Sequence, residues 1–193
     1  MKKRPKKAGR KRSAPKRTKS PAGDGLRVVF SADKIRGRVK QLAGQVDRDY
    51  KGRTLHVVGI LENCFLFMAD LVRHLKTPVI CQFIKAEMHD SKAGAVAVRE
   101  IVYTPKIEVN GKDILLVDGI LQSGVTLDHL YRMMLAQEAS SVRIATLIEK
   151  TDERKVDIPT AYVGFKTEEK FLVGYGLGYQ EKYRNLPFVA RLG

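Results

Sequence analysis

The stretch LLVDGILQSGVTL, residues 115–127, decides the fold. With Ile114 before it, it opens on an apolar run that ends at Asp118, the pattern of a strand covered on both faces. It closes on Gln122, Ser123, Gly124, Val125 and Thr126, and then Leu127, Leu130, Met134 and Leu135 mark a helix. A buried strand that turns tightly into a helix places small residues and hydroxyls at the helix's positive end. Backbone N–H groups around Ser123 and Gly124 converge there, and the Ser123 and Thr126 hydroxyls add donors, an arrangement suited to a phosphate monoester. Taken alone the motif is short, and an ordinary strand-to-helix turn capped by serine reads the same way.

Outward from this stretch the pattern repeats. Ser31 is placed to cap a first helix, on which Ile35, Val39, Leu42, Val46 and Tyr50 share one face before Gly52 ends it. LHVVGI at 55–60 reads as a buried strand. Cys64, Phe67, Met68, Leu71 and Leu75 mark a second helix stopped by Pro78, and VICQFI at 79–84 is the next strand. Residues 86–95 lack periodicity and read as a loop. VAVREIVY and KIEV, either side of Pro105, read as a ribbon pair, and VRIATLI and AYVGF as further strands. Apolar strands alternating with amphipathic helices imply an α/β fold, a mainly parallel sheet with helices on both faces. Such sheets hold ligands beyond the carboxyl ends of their strands, which is where Asp118 to Thr126 falls.

The net charge of +15 is uneven: residues 1–23 carry 11 Lys/Arg and no Asp/Glu. Residues 1–25 are expected to be a disordered basic tail, since no aliphatic side chain larger than alanine follows Met1, and residues 26–193 a single domain. Nonspecific contact with nucleic-acid phosphates and plain solvation stand side by side as readings of the tail. Pro5, Pro15 and Pro21 argue against an amphipathic presequence. Cys64 and Cys81 lack metal spacing and sit in apolar runs, which favours a reducing, cytoplasmic setting. No apolar run approaches the ~20 residues of a membrane span.

The opening stretch, with FMADLVRHL, SVRIATLIEKTDERKVDI and above all YVGFKTEEKFLVGYGLGYQEKYRNLP at 162–187, resembles the hypoxanthine (hypoxanthine-guanine) phosphoribosyltransferases. The resemblance runs from about Phe30 to Leu192. It implies the type I phosphoribosyltransferase fold, a dimer or tetramer, and a purine base condensing with phosphoribosyl pyrophosphate, helped by magnesium, in purine salvage. It also implies roles: Gln122 to Thr126 for the 5′-phosphate, Asp118 for the ribose, Phe171 for stacking on the base, and Arg184 for pyrophosphate.

Against the family pattern several positions are altered. Gly119 replaces a second ribose carboxylate, and Gln122 stands where a carboxylate handles the purine proton; an amide cannot accept one near neutral pH. Glu62 and Asn63 replace the Lys-Gly of the pyrophosphate loop, and Gly178 replaces the magnesium aspartate. Met88 and His89 stand in for the flap's Ser-Tyr pair, the lone histidine reading as an idle loop residue. The base-reading lysine is expected just before YVGF, where Pro159 or Thr160 stands, with Lys155 and Lys166 out of register. This pattern points to a pseudoenzyme that binds a purine nucleotide or phosphoribosyl ligand, with a regulatory or nucleic-acid-associated role through the tail. The alternatives are an active hypoxanthine/guanine phosphoribosyltransferase, with Glu62, Glu87 or Asp90 as replacement acids, and a structural partner of an active relative.

Overall fold

The computed structural model describes residues 25–86, 101–103 and 107–193. The basic tail, the flap positions Met88 and His89, and most of the 86–95 loop lie outside the described residues.

Six strands form the main sheet, in the order β4-β3-β2-β5-β6-β7. These are β2 (Leu55–Leu61), β3 (Val79–Ala86), β4 (Ile101–Tyr103), β5 (Asp113–Leu121), β6 (Ser141–Lys150) and β7 (Thr160–Thr167). All neighbours are parallel except β4, which runs antiparallel to β3. Among the described residues the expected ribbon pair across Pro105 is not seen: residues 101–103 of its first arm form β4, which pairs with β3, and residues 107–109 of its second arm adopt no strand.

Side-chain alternation along each central strand feeds two cores. Leu55 and Val57 of β2, with Leu115 and Val117 of β5, pack on one face against α1 (Ala32–Asp49) and α2 (Phe65–His74). Val58 and Ile60, with Ile114, Leu116 and Leu121, face α3 (Val125–Ala136) through Leu127, Leu130 and Met134. Burial on both faces is why these strands read as continuous apolar runs rather than alternating ones. α1 follows its sequence signals closely. Ser31 accepts the Lys34 N–H at 3.4 Å, and Ile35, Val39, Leu42 and Val46 are buried.

A second, three-stranded antiparallel sheet was not expected. β1 (Leu26–Phe30), β9 (Val189–Leu192) and β8 (Leu172–Val173) pair in the order β1-β9-β8. It joins the start of the domain to its end, with Leu26 opposite Leu192, and carries the segment around Phe171 over the carboxyl ends of the main strands. Phe30 stacks on Phe165 with ring centroids 4.3 Å apart, tying this sheet to β7.

Candidate functional site

β5 runs three residues further than its apolar core implies, through Gly119, Ile120 and Leu121, so Asp118 lies inside the strand and the turn to α3 is only Gln122 to Gly124. Gly124 closes the turn in the left-handed conformation, φ 79°, which a glycine adopts without a Cβ penalty. The Val125 N–H points at the Ser123 Oγ from 3.5 Å, and the Lys155 N–H donates to the Ser123 carbonyl at 3.0 Å, so the loop after β6 braces the turn. A cavity of about 210 Å³ lies beside it, lined among others by Asp118, Gln122, Ser123, Gly124, Thr126 and Asn63. Four of the five residues expected to contact phosphate, Gln122, Ser123, Gly124 and Thr126, therefore line one cavity with Asp118; the fifth, Val125, is the first residue of α3 and does not line it.

Burial pushes the Asp118 carboxyl up to about 7, against backbone N–H groups of Gly119 and Ile120 that favour its charge. Burial pushes the neighbouring Cys64 thiol up as well, to about 12, with the Asp118 charge adding to the rise, so it stays a neutral thiol near neutral pH.

A second cavity, of about 380 Å³, adjoins the first and shares Asn63, Ile120 and Gln122 with it. Its lining includes Phe171, Lys150, Glu153, Leu177 and Gly178. Phe171 is 68% exposed and holds φ 51°, a backbone region unusual for a bulky residue. The ring therefore stands at the edge of the cavity and not in the core. A larger cavity of about 700 Å³ lies elsewhere, between residues 107–112 and the end of α3, and contains none of these groups.

Lys150 corrects the sequence reading. Pro159 and Thr160 do not line the second cavity, whereas Lys150, the last residue of β6, does, with its side chain only 2% exposed. Its Nζ sits 2.5 Å from Glu153 Oε1 and 3.9 Å from Asp152 Oδ1. The cation that the sequence reading counts as lost is thus supplied from a different position, nine residues before Pro159. The signal was present: Glu149 and Lys150 are two charges directly following the apolar run Leu147–Ile148 at the buried end of the strand.

The altered positions around Asn63 interlock. Arg184 Nη1 donates to Asn63 Oδ1 and to the Gly176 carbonyl, both at 2.8 Å, and Nη2 pairs with Glu62 Oε2 at 3.0 Å. Its Nε, also buried, has no acceptor. A Cβ at Gly178 would stand 2.7 Å from Arg184 Cζ, so the guanidinium fills the space an aspartate there would need. A Cβ at Gly119 would stand 2.2 Å from the Asn63 carbonyl oxygen, so the loop after β2 fills the space of the second ribose carboxylate. The fit to magnesium is poor at the place of the family's magnesium aspartate: Gly178 offers no oxygen ligand, and the Arg184 guanidinium, a cation, lies against it.

Residues 30–180 match the family profile of the phosphoribosyl transferase domain. The chain is 34% identical over 166 residues to the hypoxanthine-guanine phosphoribosyltransferase of Bacillus subtilis, covering 86% of this chain and 92% of that protein. It is 35% identical over 169 residues to that of Dictyostelium discoideum, covering 86% and 94%. The crystal structure of a hypoxanthine-guanine phosphoribosyltransferase from Bacillus anthracis superposes with a TM-score of 0.79 at 35% identity, over 88% of this chain and 99% of that one. With the doubly covered parallel sheet and the β5–α3 turn already in place, these likenesses establish that the chain belongs to the hypoxanthine-guanine phosphoribosyltransferase family and has its type I fold.

Proposed function

We propose that this protein binds a purine nucleotide or a related phosphoribosyl ligand in the cleft at the β5–α3 turn and turns it over poorly or not at all. The observation that carries the reading is the contrast within one cleft. The groups suited to grip a ligand converge: the Ser123–Thr126 turn, Asp118, Lys150 and the exposed Phe171 ring. The groups suited to do chemistry are replaced by Gln122, and by glycines whose side-chain space is already taken at 119 and 178. A general base is worth ~10²–10⁴-fold in rate, and Gln122 supplies none.

In the bound state the α3 N-terminus and the two hydroxyls would receive the terminal phosphate, Asp118 would accept hydrogen bonds from ribose hydroxyls, and the base would stack on Phe171 within reach of Lys150. A second reading, an active hypoxanthine/guanine transferase, is favoured by one observation: Glu153 puts a carboxylate into the base cavity 2.5 Å from Lys150, a replacement for the missing proton acceptor. One paired experiment separates them. Calorimetric titration with inosine and guanosine monophosphates is run beside an assay of their formation from base, phosphoribosyl pyrophosphate and magnesium. Binding without product is expected; turnover at rates ordinary for the family would overturn the proposal.

A further inference from the structure

Resting on that reading, we infer that Glu62 is a built-in occupant of the subsite for a second anionic group, and that the cleft therefore selects ligands with a single phosphate, nucleoside 5′-monophosphates, over diphosphate-bearing sugar donors. A ligand with its phosphate at the Ser123–Thr126 turn and its base against Phe171 spans both cavities. The anomeric carbon of its sugar then falls beside Asn63, which lines both. A second phosphate carried on that carbon would lie at the Leu61–Asn63 loop, where Glu62 stands between two cavity-lining residues and pairs with Arg184.

Three features of that place turn such a group away. Both terminal nitrogens of Arg184 are already committed, to Asn63 Oδ1, the Gly176 carbonyl and Glu62 Oε2. Glu62 is about half exposed and is flanked by the cavity-lining Leu61 and Asn63, so it adds negative charge beside the cleft. The other buried cation, Lys150, is held by Glu153 at 2.5 Å. A monophosphate nucleotide brings only a neutral base to this region and meets no such penalty. Building repulsion against one ligand while keeping contacts for another is how a site gains specificity without added affinity. Gly178 fits the same scheme, because its missing side chain leaves room for the guanidinium, whose Cζ lies 2.7 Å from where a Cβ would stand.

The test titrates guanosine monophosphate, phosphoribosyl pyrophosphate and inorganic pyrophosphate into the full-length protein and into Glu62→Gln, which keeps the side-chain shape and removes its charge. The wild type is expected to bind guanosine monophosphate at least ~10-fold more tightly than phosphoribosyl pyrophosphate, and Glu62→Gln to raise the donor-to-nucleotide affinity ratio by roughly 10-fold. Equal or tighter binding of the donor by the wild type, or an unchanged ratio in the variant, would overturn the inference. Should the wild type bind no nucleotide, the proposed function fails on its own. The pyrophosphate titration then still reads the latch: a gain of binding in Glu62→Gln supports it, and identical curves overturn it.

Discussion

Replacing Gly119 with alanine tests whether the lost carboxylate is barred by the fold or merely absent. An ideal Cβ at this position would lie 2.2 Å from the Asn63 carbonyl oxygen, 2.7 Å from its carbonyl carbon and 3.3 Å from its Cβ. The first two are backbone atoms and cannot rotate aside, so the loop after β2 must retreat by about 1 Å to reach ordinary contact distance. That loop is tethered by the Arg184–Asn63 hydrogen bond at 2.8 Å, and Gly119 lies in a strand paired on both sides. Overpacking of this kind costs ~1–3 kcal/mol, and for a chain of this length ~1 kcal/mol moves the melting temperature by roughly 2–4 °C. Gly119→Ala is therefore expected to melt about 2–12 °C below the wild type. Gly37→Ala is the internal control: it lies in α1 with nothing within 4 Å of the added methyl, and should melt about 1–4 °C higher through the gain in helix propensity. Gly119→Asp should lose at least as much as the alanine and gain no transferase activity. Scanning calorimetry of the three variants reads the result. A Gly119→Ala melting temperature within a degree of wild type, or product formation by Gly119→Asp, would refute the claim that the loop has taken this space.

Three further outcomes are expected. Phe171→Ala should weaken nucleotide binding by roughly 10-fold, from lost stacking worth ~1–3 kcal/mol, while leaving the melting temperature nearly unchanged because the ring is 68% exposed; a large stability loss with unchanged binding would make it a packing residue. Asp118, raised from 3.8 to about 7 by burial, contributes stability that is full below pH 4 and is lost as pH rises through 7, so melting profiles of the ligand-free protein should fall across that window and Asp118→Asn should flatten them; parallel profiles would refute the assignment. Full-length protein, with 11 basic residues before residue 24, should bind duplex DNA with a logarithmic salt slope of roughly −0.9 per phosphate neutralised, and protein starting at residue 24 should lose that binding; identical curves would remove the tail from nucleic-acid contact.

Much of the domain was legible because its signals were local. α1 announces itself through a cap and a face repeating every three or four residues, and the central strands through apolar runs that only two covered faces explain. The β1-β9-β8 sheet was not legible. Its strands have two to five residues, and its defining pair joins residue 26 to residue 192, a contact that no local window contains. Lys150 was missed for a related reason. Counting back from YVGF assumes a position in sequence, whereas the loop from 151 to 159 passes from this cavity, which Glu153 still lines, to the β5–α3 turn, which Lys155 braces, so the residue before β7 does not line the cavity and the residue ending β6 does.

The retention of Arg184 shows why a residue-by-residue comparison reads this cleft only in part. In sequence, Arg184 counts as kept, Glu62 as a repulsive replacement, and Asn63 and Gly178 as separate losses. In space they are one change. Glu62 neutralises the arginine, Asn63 anchors it, and the missing side chain at 178 provides the room in which it lies. The two glycines differ in kind: a carboxylate at 119 would collide with the backbone of the loop that carries Asn63, whereas an aspartate at 178 would displace the movable end of Arg184 from its present pairs. Residues in such contact do not contribute additively, so reversing any one alone should produce strain rather than activity. The same coupling explains how binding and chemistry can part company. The β5–α3 turn, Lys150 and Phe171 line the cavities from β5, β6 and the segment before β8, and none of them is a hydrogen-bond or ion-pair partner of Arg184. A knot that closes one subsite can therefore leave the grip on phosphate and base intact.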